Sequence, residues 1–292
     1  MMDRALFSHQ ARAPAIALTL MVLTVIAGPF FFPASYELPG ALTYAVPSLA
    51  HPCGTDLNGR DLLLRILTGG RISLLVGICG AAISLLIGTT YGLVAGSARS
   101  ALDNGMMRLV DILYSVPRLI FILIFINAFN ERLQLAASRH GWDWLVGSSR
   151  LVILILSLGL IEWLTMARIV RGQTLTLRER SYVAAARVLG EDTWTILWRH
   201  LLPNLAGIVL VYLTLAIPSV IIDEAFLSFL GLGVQAPQSS WGSLLSEGAA
   251  SINPLRGAWW LLLFPALALL ATLLSLYNLG DALRRSIQTK GN

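Results

Sequence analysis

The chain has 292 residues, 56% of them hydrophobic and only 13% charged, and its mean hydropathy is +0.72. Soluble domains carry about 25% charged residues, so this composition excludes an ordinary soluble protein and points to the membrane. The net charge of +5 falls between apolar runs, which favours a role in membrane topology over a nucleic-acid partner.

The first apolar run covers residues 14–32. It follows Arg4 and Arg12, as a signal peptide would. It is longer than a typical signal core and no small-x-small site follows, so it reads as a retained first helix. Asn58 and Asp61 then mark the cap of a short outer helix reaching Leu67, with Gly69 and Gly70 breaking it before the second span. The spans that follow are expected at about 72–97, 109–129, 151–170, 205–222 and 258–279. Each is long enough for a hydrocarbon core of about 30 Å at about 1.5 Å per residue. In lipid such segments are helices, because a helix satisfies its own backbone. The expected fold is an all-α polytopic membrane protein with six transmembrane helices.

Six spans put both termini on one side. The loop 168–204 carries Arg168, Arg171, Arg178, Arg180, Arg187 and Arg199, and the tail carries Arg284, Arg285 and Lys290. The opposite loops hold a sparser set: Arg60, Arg65, Arg71, Arg132, Arg139, Arg150 and Arg256. The positive-inside rule therefore places both termini in the cytoplasm. Cys53 lies in a polar loop and Cys79 in an apolar run, which argues against a disulfide, and two cysteines alone make no metal site.

Within the second span, Gly88, Gly92 and Gly96 recur every four residues and form one smooth strip. It fits either intramolecular packing or a subunit interface. Pro117, Pro218 and Pro265 interrupt spans three, five and six. Arg118 and Glu162 fall at similar depths in spans three and four, roughly 13–15 Å from the cytoplasmic face. Charges at that depth pair or border a watery path, so the two are expected to form an ion pair or to line a translocation pathway. The alternative is that each snorkels separately, with Arg118 bonding carbonyls freed by Pro117.

The segment 171–204 predicts two short helices, the first over about 177–189 and ended by Gly190. Asp192 or Thr193 can cap the second. That helix has an apolar face of Trp194, Leu197, Trp198 and Leu201, and Pro203 is expected to stop it before span five. Further on, the LSFLGLG segment is apolar but broken by Gly231 and Gly233, and reads as a short re-entrant or interfacial helix.

The 171–204 segment resembles the cytoplasmic signature loop of binding-protein-dependent ABC importer permeases. Ala185, Ala186, Gly190, Leu202 and Pro203 match it, while Ala184 stands where Glu is usual and His200 where Ile is usual. The resemblance extends through GTDLNGRDLLLRILTGGRISLLVG from Gly54, MRLVDILYSVP, ARIVRGQTLTLRER, EAFLSFLGLGVQAP, SSWGSLL and NLGDALR. Together these are similar to the second permease subunit of oligopeptide and dipeptide importers. The resemblance implies a type I ABC importer permease fold in the bacterial inner membrane. It divides the chain into an N-terminal segment with the first helix (1–66), a transmembrane domain (67–284) and a cytoplasmic tail (285–292).

It further implies a docking loop for a separate ATPase formed by Tyr182, Ala184, Ala185, Ala186, Gly190, Glu191, Asp192, His200, Leu202 and Pro203. The outer segment Gly54, Thr55, Asp56, Gly59, Arg60 and Asp61 would face a periplasmic substrate-binding protein. The implied partners are a homologous second permease, two cytoplasmic ATPase subunits, the binding protein and membrane lipid. ATP and Mg would be used by the ATPase, with no cofactor on this chain. The sequence holds no GxxxxGK[ST] phosphate loop, so a pump built from it borrows its ATPase. Two other classes remain to be weighed. One is a secondary ion-coupled transporter using Glu162. The other is an intramembrane enzyme, for which neither HExxH nor GxSxG is present.

Overall fold

A computed structural model describes residues 9–31, 40–236, 238–252 and 257–288. Among them there are helices and turns, and no strand beyond a single bridge between Thr55 and Asp61. The helices are α1 (His9–Phe31), α2 (Leu62–Ser97), α3 (Ser100–Ser115), α4 (Arg118–Arg139), α5 (Asp143–Leu177) and α6 (Ser181–Val188). They are followed by α7 (Thr193–Phe229), α8 (Trp241–Ser251) and α9 (Trp260–Gln288). Five of them, α2, α4, α5, α7 and α9, are long and apolar enough to cross a membrane, and α1 carries a shorter apolar stretch, Ala15–Pro29.

The centre of the bundle is the pair α2 and α5. Their approach is set by the glycine strip. A Cβ added at Gly88, Gly92 or Gly96 would lie 2.5–2.7 Å from Met166, Ala167 or Thr174 on α5. Such contacts suit a membrane interior, where close packing replaces the hydrophobic drive between helices. The strip is therefore an intramolecular contact.

Five expectations about the helices are corrected. Gly69 and Gly70 do not break the chain: Asp61 caps α2, which runs unbroken to Ser97. Both glycines sit against α8, Gly70 facing the Trp241 ring, so their small size serves packing. The third span is not one helix over 109–129. Pro117 lacks an N–H and disfavours a helical residue before it, so Val116 is extended and the chain divides into α3 and the crossing helix α4.

The first loop helix begins at Ser181, not 177, because α5 continues to Leu177. Pro203 does not end the second loop helix either. A π-helical turn, Ile196–Leu201, precedes it, and the Leu202 N–H bonds to Leu197 O, five residues back. The extra residue opens the backbone ahead of the proline ring, whose clash with the carbonyl four residues back would otherwise kink the helix. Loop helix and membrane span are thus one rod, α7. Finally, the LSFLGLG segment is not a separate helix. Its first three residues end α7, and Gly231 (φ 76°) turns the chain back.

At the opposite end to α6, the linker before α2 and helix α8 close the bundle. Trp241 is fully buried, and its indole N–H donates to Ile66 O at 3.0 Å. Sequence reading left α8 unassigned.

Candidate functional site: the elbow between α6 and α7 and the charged clusters of the bundle

The elbow is built from local rules. Gly190 has φ 85°, a conformation that costs an L-residue about 1–2 kcal/mol. It closes α6 with the two bonds of a Schellman end: Glu191 N–H to Ala186 O at 3.1 Å and Gly190 N–H to Arg187 O at 3.0 Å. Asp192 then caps α7, accepting from Trp194 N–H at 3.0 Å and Thr195 N–H at 3.3 Å. The Thr195 hydroxyl and these amides hold its carboxyl below the usual range. A lowered carboxylate keeps its contribution at neutral pH and loses it only as pH falls through that lowered value.

The inner face of the elbow is an apolar plug. Val183, Ala186, Ile196, Leu197 and Leu201 are buried with Leu93 of α2 and Val170 of α5. The outer face is apolar too, but open. Val188 and Leu189 are 88% and 83% exposed, and Tyr182, Trp194 and Trp198 are exposed beside them. Of the residues expected in the loop, Ala184, Ala185, Gly190, Asp192 and Pro203 are also exposed, Glu191, His200 and Leu202 are half-buried, and Ala186 is buried. Position 184 points outward, so replacing the usual Glu by Ala alters the surface and not the core. His200 Nε2 lies 2.7 Å from Glu191 Oε2.

The expected outer segment is a tightly bonded knot. Thr55 is fully buried, donating to Leu42 O at 2.6 Å. Gly54 (φ 78°) and Gly59 (φ 73°) make its turns. Asp56 accepts from Arg60 Nε at 2.7 Å and from Arg65 Nη1 at 2.8 Å. Arg65 also grips Glu247 of α8 with both nitrogens, at 2.5 and 2.8 Å. Asp61 caps α2 through Leu64 N–H at 3.1 Å and meets the His51 ring at 2.8 Å. Beside this knot lies a polar cleft of about 760 Å³ lined by Arg60, Arg65, Gln235, Gln238, Ser243 and Glu247, among others.

The interior charges come together. Arg118, the first residue of α4, is ion-paired with Glu162 of α5. The same guanidinium nitrogen lies 2.8 Å from Asp223 of α7. Arg118 lines a cleft of about 220 Å³ with Tyr114, Pro117 and Thr165, and Glu162 lines a second of about 240 Å³ with Ser84, Tyr212 and Ser219. The pair expected from depth is thus present, while Asp223 was missed because span five was ended at residue 222. Scanning the run IPSVIIDEAFLSF for intramembrane charge would have found both Asp223 and Glu224. Glu224 is fully buried. It accepts from Ser73 at 3.1 Å and Ser228 at 2.7 Å, tying α7 to α2.

Near the elbow, Arg171 holds Asp103 of α3 with both groups, at 2.5 and 2.7 Å, and Arg168 stacks 4.1 Å from the Tyr114 ring. Both cysteines are free. Among the described residues no group of three His, Cys, Asp or Glu is placed to hold a metal.

Known proteins share this sequence over nearly its whole length. Residues 88–289 match the family of binding-protein-dependent transport system inner membrane components. The chain is 41% identical to the oligopeptide transport system permease protein of Haemophilus influenzae, over 98% of this chain and 87% of that one. It is 40% identical to the oligopeptide transport system permease protein of Escherichia coli K12, over 98% and 89%. A dipeptide transport system permease protein of Bacillus subtilis is 39% identical over 94% of this chain and 80% of its own length. With an all-helical bundle and an exposed elbow between two of its spans, this chain belongs to the binding-protein-dependent transport system inner membrane components and is a multi-pass protein of the inner membrane.

Proposed function

We propose that this chain is one of two permease subunits of an ATP-driven importer, that it forms half of a pathway for peptides, and that its 177–203 elbow docks into a separate ATPase. The elbow carries this reading. A membrane protein has little reason to hold Val188, Leu189, Trp194 and Trp198 out on a stiff, doubly capped turn unless something covers them. The elbow lies at the arginine-rich end of the bundle, which the positive-inside rule assigns to the cytoplasm together with both termini. ATP and Mg act on the partner. Closure of two ATPases moves the elbow, and the rod α7 carries that movement past the charged cluster to the opposite face.

The peptide cargo is inferred from the relatives named for oligopeptide and dipeptide transport. The outer cleft beside Arg60 and Glu247 is then the surface met by the substrate-binding protein. The ion-coupled alternative is weakened by Glu162 itself. A carboxylate paired with a permanently charged guanidinium is poorly placed to bind and release a coupling ion.

Affinity purification in mild detergent tests the reading. A second permease and two ATPase chains are expected to accompany this one. Purified chain that moves substrate alone on a proton gradient would overturn it.

A further inference from the structure

The elbow has an inner and an outer side, and they are held differently. On the inner side, Val183 and Ala186 of α6 pack against Ile196, Leu197 and Leu201 of α7. At the turn, Gly190 offers no side chain and has open space around it. Glu191, whose N–H is held by Ala186 O of α6 at 3.1 Å, also reaches with its side chain to His200, nine residues on in the π-helical part of α7. Opposite a carboxylate, Nε2 of the imidazole carries the proton and donates it. The His200 carbonyl also accepts from Asn204 Nδ2 at 2.6 Å, which fixes the residue to the rod that enters the membrane. An aliphatic residue at 200 could fill space there but could not bond to Glu191.

We propose that Glu191 and His200 form a brace that fixes the angle between α6 and α7, and that His200 is the positioning residue through which a push on the docked elbow is delivered to the membrane helices. The proposal rests on the reading of the elbow as the ATPase-docking element. Without the brace the turn at Gly190 can flex about the apolar plug, and part of the movement is absorbed before it reaches α7. Both side chains are about one-quarter exposed, and a partly exposed side-chain hydrogen bond shifts an equilibrium about two- to fivefold.

The test uses the complete transporter in proteoliposomes and reads peptide transported per ATP hydrolysed. His200→Ala is expected to lower that ratio about two- to fivefold, with peptide KM and melting temperature little changed. Glu191→Ala is expected to match it, and the double substitution to be no worse than either single. His200→Gln, whose amide can donate to Glu191, is expected to restore most of the ratio. Additive losses, an unchanged ratio in Glu191→Ala, or a His200→Gln variant as poor as His200→Ala would each overturn the brace. If the ATPase chains assemble with the wild type and the ratio ignores all these substitutions, the brace alone falls. If no ATPase assembles, the docking reading falls and the brace falls with it.

Discussion

At the scale of single residues, the charged cluster shows how a membrane interior tolerates ionised groups. Arg118 has two carboxylates within reach, Glu162 and Asp223, from two different helices. Removing one partner of a buried pair ordinarily costs about 3–5 kcal/mol because the other charge is stranded. Here the loss of one carboxylate leaves the other, and Arg118 still opens onto a cleft. Glu162→Ala and Asp223→Ala should therefore each be mild, about 1–2 kcal/mol or less, and the double variant should lose more than their sum. Melting temperatures of the four proteins in one detergent check this. A double variant equal to the sum would mean that Asp223 does not stand in for Glu162.

The same cluster shows what residue-level reading could reach. Depth counting brought Arg118 and Glu162 together because both sit in runs that are apolar by inspection. Asp223 and Glu224 escaped because two adjacent carboxylates look like the end of a span. Only the bonds from Ser73 and Ser228 to Glu224, and the position of Arg118 beside Asp223, explain how α7 continues past them to Phe229.

At the scale of elements, α7 unites two segments that Pro203 is expected to separate. An apolar face makes its first part legible as a helix and an unbroken apolar run its second. Their continuity depends on the π-helical turn before Pro203, which no propensity announces. Helix α8 was hidden for a different reason: seven of its eleven residues are Gly, Ala or Ser, so it carries little periodicity, and its place is set by Gly69 and Gly70 on α2. The elbow was the more readable feature, since a glycine in the left-handed region and an Asp cap are local chemistry.

That chemistry yields a prediction. Beyond its chain neighbours no atom lies within 4 Å of a Cβ built at Gly190, so a Cβ has room there and the constraint on it is φ. Gly190→Val strains the turn by about 1–2 kcal/mol or reshapes it. It should uncouple ATP hydrolysis from uptake in the assembled transporter. Gly190→Asn, which tolerates positive φ, should remain largely coupled. Equal loss in both variants would assign the effect to side-chain bulk against a partner surface, and unchanged coupling in Gly190→Val would argue that the elbow does not transmit the movement.

At the scale of the whole molecule, the two ends of the bundle differ in charge and in construction. One end carries the elbow and the arginines of 168–199; the other is sealed by the knot around Asp56 and Arg65 and by α8. If the arginine-rich end faces the cytoplasm, Val188 and Leu49, both highly exposed, lie on opposite sides of the membrane. Single cysteines at these positions report the arrangement directly. The native Cys53 interferes little, because burial, with Asp61 nearby, pushes its thiol up to about 11 and leaves almost no reactive thiolate at neutral pH. In intact cells with the outer membrane permeabilised, Leu49→Cys should react with a membrane-impermeant maleimide. Val188→Cys should react only after the inner membrane is opened, and should become protected when the ATPase chains are present. The reverse labelling pattern would invert the topology and remove the elbow from reach of any cytoplasmic ATPase.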